Sequence, residues 1–299
     1  MKKFFSLSFG SNTVAMAYTS VPSDPVPNYI QSAREHGIKL RQSAPIKKGP
    51  LPFELPIITH LRGKRVILAS ASPRRKALLA QVGLRDLEVK ASTKPENLSK
   101  TATTPYEYVS DTARQKCMDV YETALAEQAA VAEGNSKAAP PADPELVIAA
   151  DTVIVSSSGR ILEKPRNEAD HKEMLKHLRD TRVHKVLTSV WVLAPKADAS
   201  HPGYEIASHT EETKVFFAQE SDGLGDDVIE TYVKTREGAD KAGGYAVQGV
   251  GGLVLVEKVE GCVDNVVGLP VRKTLALAEK VIFQQGEEEV QYSDEDADA

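Results

Sequence analysis

The chain has 299 residues, of which 41% are hydrophobic and 26% charged, enough for one large or two small globular domains with a buried core. The formal net charge is -5 and the middle of the chain is close to neutral, which argues against a broad nucleic-acid-binding face. The only cysteines, Cys117 and Cys262, lie far apart, which excludes a disulfide framework and a thiolate zinc site and favours a reducing compartment. No apolar run approaches the length of a bilayer span, so we expect a soluble protein without a membrane partner.

Residues 1–62 are interpreted as a largely irregular N-terminal extension. They contain seven prolines and no sustained periodicity, with room for one short helix near residues 28–38. The first apolar run is broken by polar residues, which argues against a secretory signal. We expect a disordered extension of a cytoplasmic protein, with a mitochondrial presequence as the alternative.

Regular structure is predicted from Arg65 onward. RVILAS (65–70) has the character of a buried strand and leads into a helix over residues 73–82, with Ser72 as its N-cap. Arg74 and Arg75 then lie at the positive end of the helix dipole, where cations are unfavourable unless an anion compensates. This strand, loop and helix fit a phosphate site, although the residues alone fit a capped helix with exposed arginines slightly better.

Strands and helices alternate along the rest of the chain. A capping box at 104–107 predicts the start of a helix that continues to about residue 133. Further helices are predicted over about 168–180, 227–236 and 270–284. Strands are predicted over 145–155, 185–194, 205–217 and 252–259. This order predicts an α/β layered domain over residues 63–285, with a mixed β-sheet flanked by helices. The acidic run from Glu287 predicts a disordered tail over residues 286–299.

Three further clusters carry side chains that could do chemistry. Asp151 and Thr152 follow an apolar run, where a carboxylate is a turn residue or a catalytic group at a sheet edge, with even support for each. Glu163 and Lys164 precede a proline, as the charge pair of a surface hairpin commonly does. The glycine-rich stretch 240–252 would let backbone approach a ligand closely, although flexible loops share this composition.

Taken together, the clusters predict a polyphosphate site. Arginines and lysines from separate loops would hold the phosphates, a carboxylate would bind a divalent ion or deprotonate a water, and Gln248 would read a base.

Six motifs in order resemble the Maf family of nucleotide pyrophosphatases over roughly residues 65–283. They are SASPRRKALL (70–79), ARQK (113–116), AADTVI (149–154), LEKP (162–165), DKAGGYAVQG (240–249) and NVVGLP (265–270). The resemblance implies a single Maf-like, ITPase-like domain that hydrolyses nucleoside triphosphates to the monophosphate and pyrophosphate, a housecleaning role in the nucleotide pool. It also implies a homodimer.

Within the family, the sequence is similar to the branch that acts on dTTP and UTP, with modified pyrimidine nucleotides as further candidate substrates. It has SPRR, ADT and EKP where the 7-methyl-GTP branch has SPWR, SDQ and GKP. The resemblance implies that Asp151 is the catalytic proton acceptor and that Arg74, Thr152 and Gln248 set base specificity. An amide and a hydroxyl can pair with the O4 and N3 edge of uracil or thymine.

The resemblance also implies phosphate-binding and metal-binding residues. The phosphate-binding set is Ser70, Ser72, Arg75, Lys116, Lys164 and Lys241. The cofactor would be a divalent cation, Mg²⁺ or Mn²⁺, held by Asp151 and Glu163 with Glu96 as a third ligand. Glu96 is taken from STKPEN (92–97), where the family has a pattern like STFEEN, so Lys94 and Pro95 depart from it. His184 keeps a family histidine and is expected to be structural.

Two alternatives stay open at this stage. One is a non-catalytic nucleotide-sensing regulator of cell division, which a missing Asp151 or a missing basic clamp would have favoured. The other is the same enzyme with 7-methyl-GTP or another purine as its substrate, against which Arg74 and Gln248 argue.

Overall fold

The computed structural model describes residues 35–37, 54–95, 98, 103–132, 142–196 and 203–285. The chain divides into two units, Met1–Leu51 and Pro52–Ala299, and all elements named below belong to the second. The helix predicted near residues 28–38 lies outside the described residues except for 35–37, and the predicted acidic tail lies outside them entirely.

A seven-stranded mixed sheet forms the middle of the second unit. Its strand order is β2-β1-β3-β5-β6-β7, with β4 paired to the end of β3. Strand β1 pairs in parallel with β2 and β3, and the other pairings are antiparallel. The strands are β1 (Val66–Leu68), β2 (Leu87–Val89), β3 (Leu146–Val155), β4 (Ile161–Leu162), β5 (Val183–Pro195), β6 (Tyr204–Phe217) and β7 (Val256–Glu260).

Helices cover the sheet and join its strands. They are α1 (Pro56–Leu61), α2 (Pro73–Gln81), α3 (Pro105–Ala132), α4 (Glu168–Thr181), α5 (Asp226–Lys234), α6 (Val250–Val254), α7 (Val263–Val267) and α8 (Val271–Phe283). The capping box predicted at the start of α3 is present, because Thr104 and Glu107 exchange side-chain and backbone hydrogen bonds. No helix among the described residues is long and apolar enough to cross a membrane. The mixed sheet between helices confirms the predicted α/β layered fold.

Alternation along β3 divides the core into two layers. Leu146 and Ile148 are buried in a cluster that also contains side chains of α1, α2 and α8. Val147 and Ala149 are buried on the opposite face, against α3. Because successive strand residues point to opposite faces, a continuous apolar run is what a strand covered on both sides requires.

Helix α1 corrects part of the prediction for residues 1–62. Ile57, Ile58 and Leu61 are between 0% and 3% exposed and belong to the same cluster as α8. Ordered packing therefore begins before residue 63. A six-residue helix preceded by prolines is too short to give a helical period in the sequence.

The strand predicted over 252–259 is also corrected. Residues up to Val254 belong to α6, and β7 begins only at Val256. Periodicity cannot assign a short apolar run such as GLVLV to helix or strand, and here Leu253 is 87% exposed. Strand β2 and helix α7 were also not predicted from the sequence.

Candidate active site

A cleft lies where β1 ends and β3 continues. β1 pairs with β3 only up to Leu68, opposite Ile148, whereas β3 runs on to Val155. No described strand pairs with this edge of β3 again before β4 at Ile154. The cleft over this edge measures about 610 Å³, a size that suits a small-molecule ligand. Open α/β sheets bind ligands at the carboxyl ends of their parallel strands.

Eleven of the twelve predicted site residues line this one cleft. They are Ser70, Ser72, Arg74, Arg75, Lys116, Asp151, Thr152, Glu163, Lys164, Lys241 and Gln248. The twelfth, Glu96, lies outside the described residues.

Asp151 and Thr152 point to opposite faces of β3. Asp151 faces α3, where the Nζ of Lys116 donates a hydrogen bond to Oδ1 at 2.7 Å. The two side chains are only 13% and 16% exposed. Thr152 faces the other layer, with its Oγ1 2.9 Å from Oγ1 of Thr188, its partner on β5. Asp151 therefore lies within β3 and not at its end. Its side chain reaches the cleft because β1 is short and stops pairing with β3 at Ile148.

The loop between β1 and α2 is organised by its serines. The Oγ of Ser70 accepts a hydrogen bond from the backbone N–H of Ser72 at 3.2 Å. The Oγ of Ser72 accepts one from the backbone N–H of Arg75 at 3.4 Å, which confirms Ser72 as the N-cap of α2. The residues at the N-terminal end of α2, Ser72, Pro73 and Arg74, line the cleft.

The two arginines of α2 differ in exposure. Arg75 is 9% exposed and donates to Gly268 O at 2.8 Å, to Ser70 Oγ at 2.9 Å and to Thr152 Oγ1 at 3.0 Å. These bonds join three walls of the cleft, and the predicted contact of Arg75 with phosphate stays a prediction. Arg74 is 34% exposed, and its Nη1 lies 4.0 Å from Oδ2 of Asp240.

Positive charge dominates the described lining of the cleft. The basic side chains are Arg74, Arg75, Lys94, Lys116, Lys164 and Lys241, and the carboxylates are Asp151, Glu163 and Asp240. Lys241 donates to Asp240 Oδ1 at 2.6 Å, and this hydrogen bond is the main reason why the pKa of Asp240 lies below its ordinary value. Six cations against three carboxylates favour a ligand with several negative charges.

Asp119, a buried carboxylate that was not predicted from the sequence, binds the segment at Ser92 and Thr93 beside the cleft. Asp119 on α3 accepts hydrogen bonds from Ser92 Oγ at 2.7 Å and from the backbone N–H of Thr93 at 2.8 Å. Burial alone would raise the pKa of Asp119, but its bonds to Ser92, Thr93 and Lys94 outweigh burial and lower it. Asp119 thereby fixes the segment that brings Lys94 to the cleft. A lone acid inside a helical sequence gives no signal for this role.

Two histidines support the glycine-rich segment from behind. His184 is 1% exposed, its Nε2 lies 2.8 Å from the hydroxyl of Tyr245, and burial lowers its pKa to about 3. The Nε2 of His171 lies 2.5 Å from Gly244 O. Gly244 has φ +75°, and a Cβ there would lie 2.6 Å from the His171 ring, so the turn requires glycine. The burial of His184 on β5 is consistent with the structural role expected of it.

Two of the three carboxylates that line the cleft are candidate ligands for a cation, since the third, Asp240, is paired with Lys241. Asp151 and Glu163 line the same cleft, while the described residues contain no cluster of three or more His, Cys, Asp or Glu that could hold a metal. Mg²⁺ is commonly bound by one or two carboxylates together with the phosphates of a substrate. The two carboxylates therefore fit a divalent cation that binds together with a phosphate-containing ligand.

Comparison with known proteins gives consistent matches. The family model described as "Maf-like protein" matches residues 65–281. A dTTP/UTP pyrophosphatase of Schizosaccharomyces pombe is 41% identical over 248 residues, which cover 82% of this chain and 95% of that protein. A dTTP/UTP pyrophosphatase of Anaeromyxobacter dehalogenans is 42% identical over 73% of this chain and 95% of its own length. A dTTP/UTP pyrophosphatase of Saccharomyces cerevisiae is 35% identical over 70% of this chain and 87% of its own length.

Proposed function

This chain belongs to the Maf family, and we propose that it is a nucleoside triphosphate pyrophosphatase that converts dTTP and UTP to the monophosphate and pyrophosphate. The observation that carries this proposal is the convergence of eleven predicted site residues on one cleft, with Asp151 beside Lys116. Loss of the carboxylate or of the basic groups would have favoured the sensor alternative, and both are present in the cleft.

The proposed chemistry is a displacement at the α phosphorus. Lys164 and Lys241 bind the triphosphate, and the serine-lined start of α2 offers hydrogen bonds to a phosphate oxygen. Asp151 accepts a proton from the attacking water while the new P–O bond forms. The bond between the α phosphorus and the bridging oxygen breaks, and pyrophosphate leaves with that oxygen. Lys116, hydrogen-bonded to Asp151, lies where it can stabilise the charge that develops.

A divalent cation fits this scheme as a cofactor. Asp151 and Glu163 would hold Mg²⁺ or Mn²⁺, with the substrate phosphates as the other ligands. Such an ion, when bound, would neutralise part of the triphosphate charge. Glu96 as a third ligand stays a prediction.

Base selection is assigned to Arg74, Thr152 and Gln248. Gln248 is exposed at the cleft and can present its amide to the O4 and N3 edge of a pyrimidine. The Thr152 hydroxyl is already bonded to Arg75 and Thr188, so we assign it to the shape of the wall near the base. A site built around hydrogen bonds disfavours bases that leave them unmade. Modified pyrimidines as substrates, the homodimer and a cytoplasmic location stay predictions.

Release of pyrophosphate from a nucleotide panel tests the proposal. The panel comprises dTTP, UTP, CTP, GTP, ATP and 7-methyl-GTP with Mg²⁺ or Mn²⁺, on the wild type and on Asp151→Asn. We expect turnover of dTTP and UTP that falls by about 10²–10⁴-fold in the variant, because an amide cannot accept the proton. Asp226→Asn is the matched control, since Asp226 also pairs with a lysine at 2.7 Å but lies outside the cleft. Nucleotide binding without turnover would favour the sensor, and turnover of purines alone would favour the other branch.

A further inference from the structure

The segment from Ala246 to Gly251 carries Gln248 just before α6, which begins at Val250. Gln248 is exposed, and glycine occupies positions 249, 251 and 252. Glycine loses more conformational freedom on ordering than any other residue, so a defined position for Gln248 depends on contacts with the rest of the chain.

Glu237, which follows α5, binds this segment through both carboxylate oxygens. Oε1 accepts a hydrogen bond from the backbone N–H of Val250 at 2.9 Å, and Oε2 accepts one from Gly251 at 2.8 Å. A Cβ on Gly249 would lie 1.9 Å from Oε1. A side chain at position 249 would therefore displace the Glu237 carboxylate from its present position.

Tyr232 holds the other end of the segment. Its hydroxyl accepts a hydrogen bond from the backbone N–H of Ala246 at 3.2 Å and is itself hydrogen-bonded to Glu237. Tyr232 is 3% exposed and lies in the core with Ile229 and Val233 of α5. Gln248 therefore lies midway between two backbone attachments, at Ala246 and Val250.

The charge on Glu237 strengthens this attachment. Burial alone would raise its pKa, but the N–H groups of Gly251 and Val250 and the Tyr232 hydroxyl outweigh burial and lower it. Hydrogen bonds from backbone N–H groups to an ionised carboxylate are about twice as strong as neutral ones. Glu237 is absent from the lining of the cleft, so its effect on a ligand passes through the segment that it holds.

We propose that Glu237, supported by Tyr232, is a positioning residue that fixes Gln248 in the cleft and thereby sets the discrimination between bases. This inference rests on the proposed function and extends it. It predicts that loss of Glu237 changes which nucleotides are accepted, and that this change depends on Gln248.

The test compares kcat/KM for dTTP and CTP in a set of single and double variants. The set is Glu237→Ala, Glu237→Gln, Tyr232→Phe, Gln248→Ala and the double variant Glu237→Ala/Gln248→Ala. The matched control is Glu230→Gln, because Glu230 is also on α5 and pairs with Lys172 away from the cleft. Amide hydrogen exchange at Val250 and Gly251 and the Tm of each variant report whether the segment loosens while the fold persists.

We expect the dTTP preference to fall on the order of tenfold in Glu237→Ala and less in Glu237→Gln, which keeps an acceptor oxygen. In the Gln248→Ala background, Glu237→Ala should add little, since both changes remove the same interaction. An equal loss of kcat/KM for all nucleotides, or additive effects in the double variant, would overturn the inference. Tyr232→Phe keeps the buried ring, so it remains informative if Glu237→Ala does not fold.

Binding of the same two nucleotides, measured as the Tm shift that each produces, separates the inference from the proposed function. A wild type that prefers dTTP in binding without hydrolysing it, and loses this preference in the Glu237 variants, supports the inference and contradicts the function. A wild type that hydrolyses dTTP, with variants that keep its preference, contradicts the inference alone. A wild type that neither binds nor hydrolyses dTTP contradicts both.

Discussion

The Nζ atom of Lys116 lies 2.7 Å from Oδ1 of Asp151, joining α3 to β3 inside the cleft. Both side chains are mostly shielded from water, at 16% and 13% exposure. The ammonium therefore fixes the direction of the carboxylate before substrate arrives and places a positive charge beside the reacting group.

We predict that Lys116→Met lowers kcat/KM for dTTP by about 10²–10³-fold, because methionine keeps the length of the side chain but removes its charge from the reaction centre. The measurement is pyrophosphate release at saturating and subsaturating dTTP. Lys176→Met is the control, since Lys176 pairs with Asp226 at the same distance of 2.7 Å outside the cleft. Equal losses in the two variants would show that the ion pair serves stability alone.

Lys94 gives a second prediction. It lies at the rim of the cleft, 44% exposed, with its Nζ 3.2 Å from Glu122 and 3.8 Å from Asp119. Lys94→Met should raise KM for dTTP several-fold with little change in kcat, because a rim cation attracts the triphosphate equally before and during reaction. The difference should shrink at high salt, which screens exposed charges.

The control for Lys94 is its neighbour Lys90. The Nζ of Lys90 lies 2.5 Å from Glu127, which is on α3 like Glu122, but Lys90 does not line the cleft. Lys90→Met should leave KM unchanged at any ionic strength. A KM for Lys94→Met that equals that of Lys90→Met at low salt would contradict a role for Lys94 in substrate attraction.

The cleft could be predicted from the sequence where its residues fall in short local motifs. Ser72, Asp151 and Gln248 are each recognisable from neighbours within a few positions. The same holds for α3 and β3, where a capping box and a long apolar run mark the elements.

The supports of these residues could not be predicted in the same way. Arg75 reaches Gly268 across 193 positions, and Asp119 reaches Thr93 across 26. A buried acid or arginine reads in sequence like a surface charge, because its partners are set by packing rather than by spacing. Glu237 was missed for this reason, although it is only four residues from Lys241.

His184 gives a prediction for stability against pH. Burial lowers its pKa from an ordinary value of 6.5 to about 3. Between these values the unfolded chain binds a proton that the folded chain does not. The free energy of unfolding therefore falls as pH decreases, by up to about 1.4 kcal/mol per pH unit from this group. Above about pH 6.5 both states are neutral at this residue, and its contribution becomes independent of pH.

Urea denaturation of His184→Gln between about pH 4.5 and 7.5 checks this contribution. The variant should be less stable than the wild type by about 1–3 kcal/mol at neutral pH, because Tyr245 loses its hydrogen-bond partner. Its stability should also fall less steeply below about pH 6.5, because the group that titrates only in the unfolded chain is gone. Tyr245→Phe, which removes the same hydrogen bond and leaves His184 in place, should keep the slope of the wild type. Parallel curves for His184→Gln and the wild type would show that other groups cause the acid sensitivity.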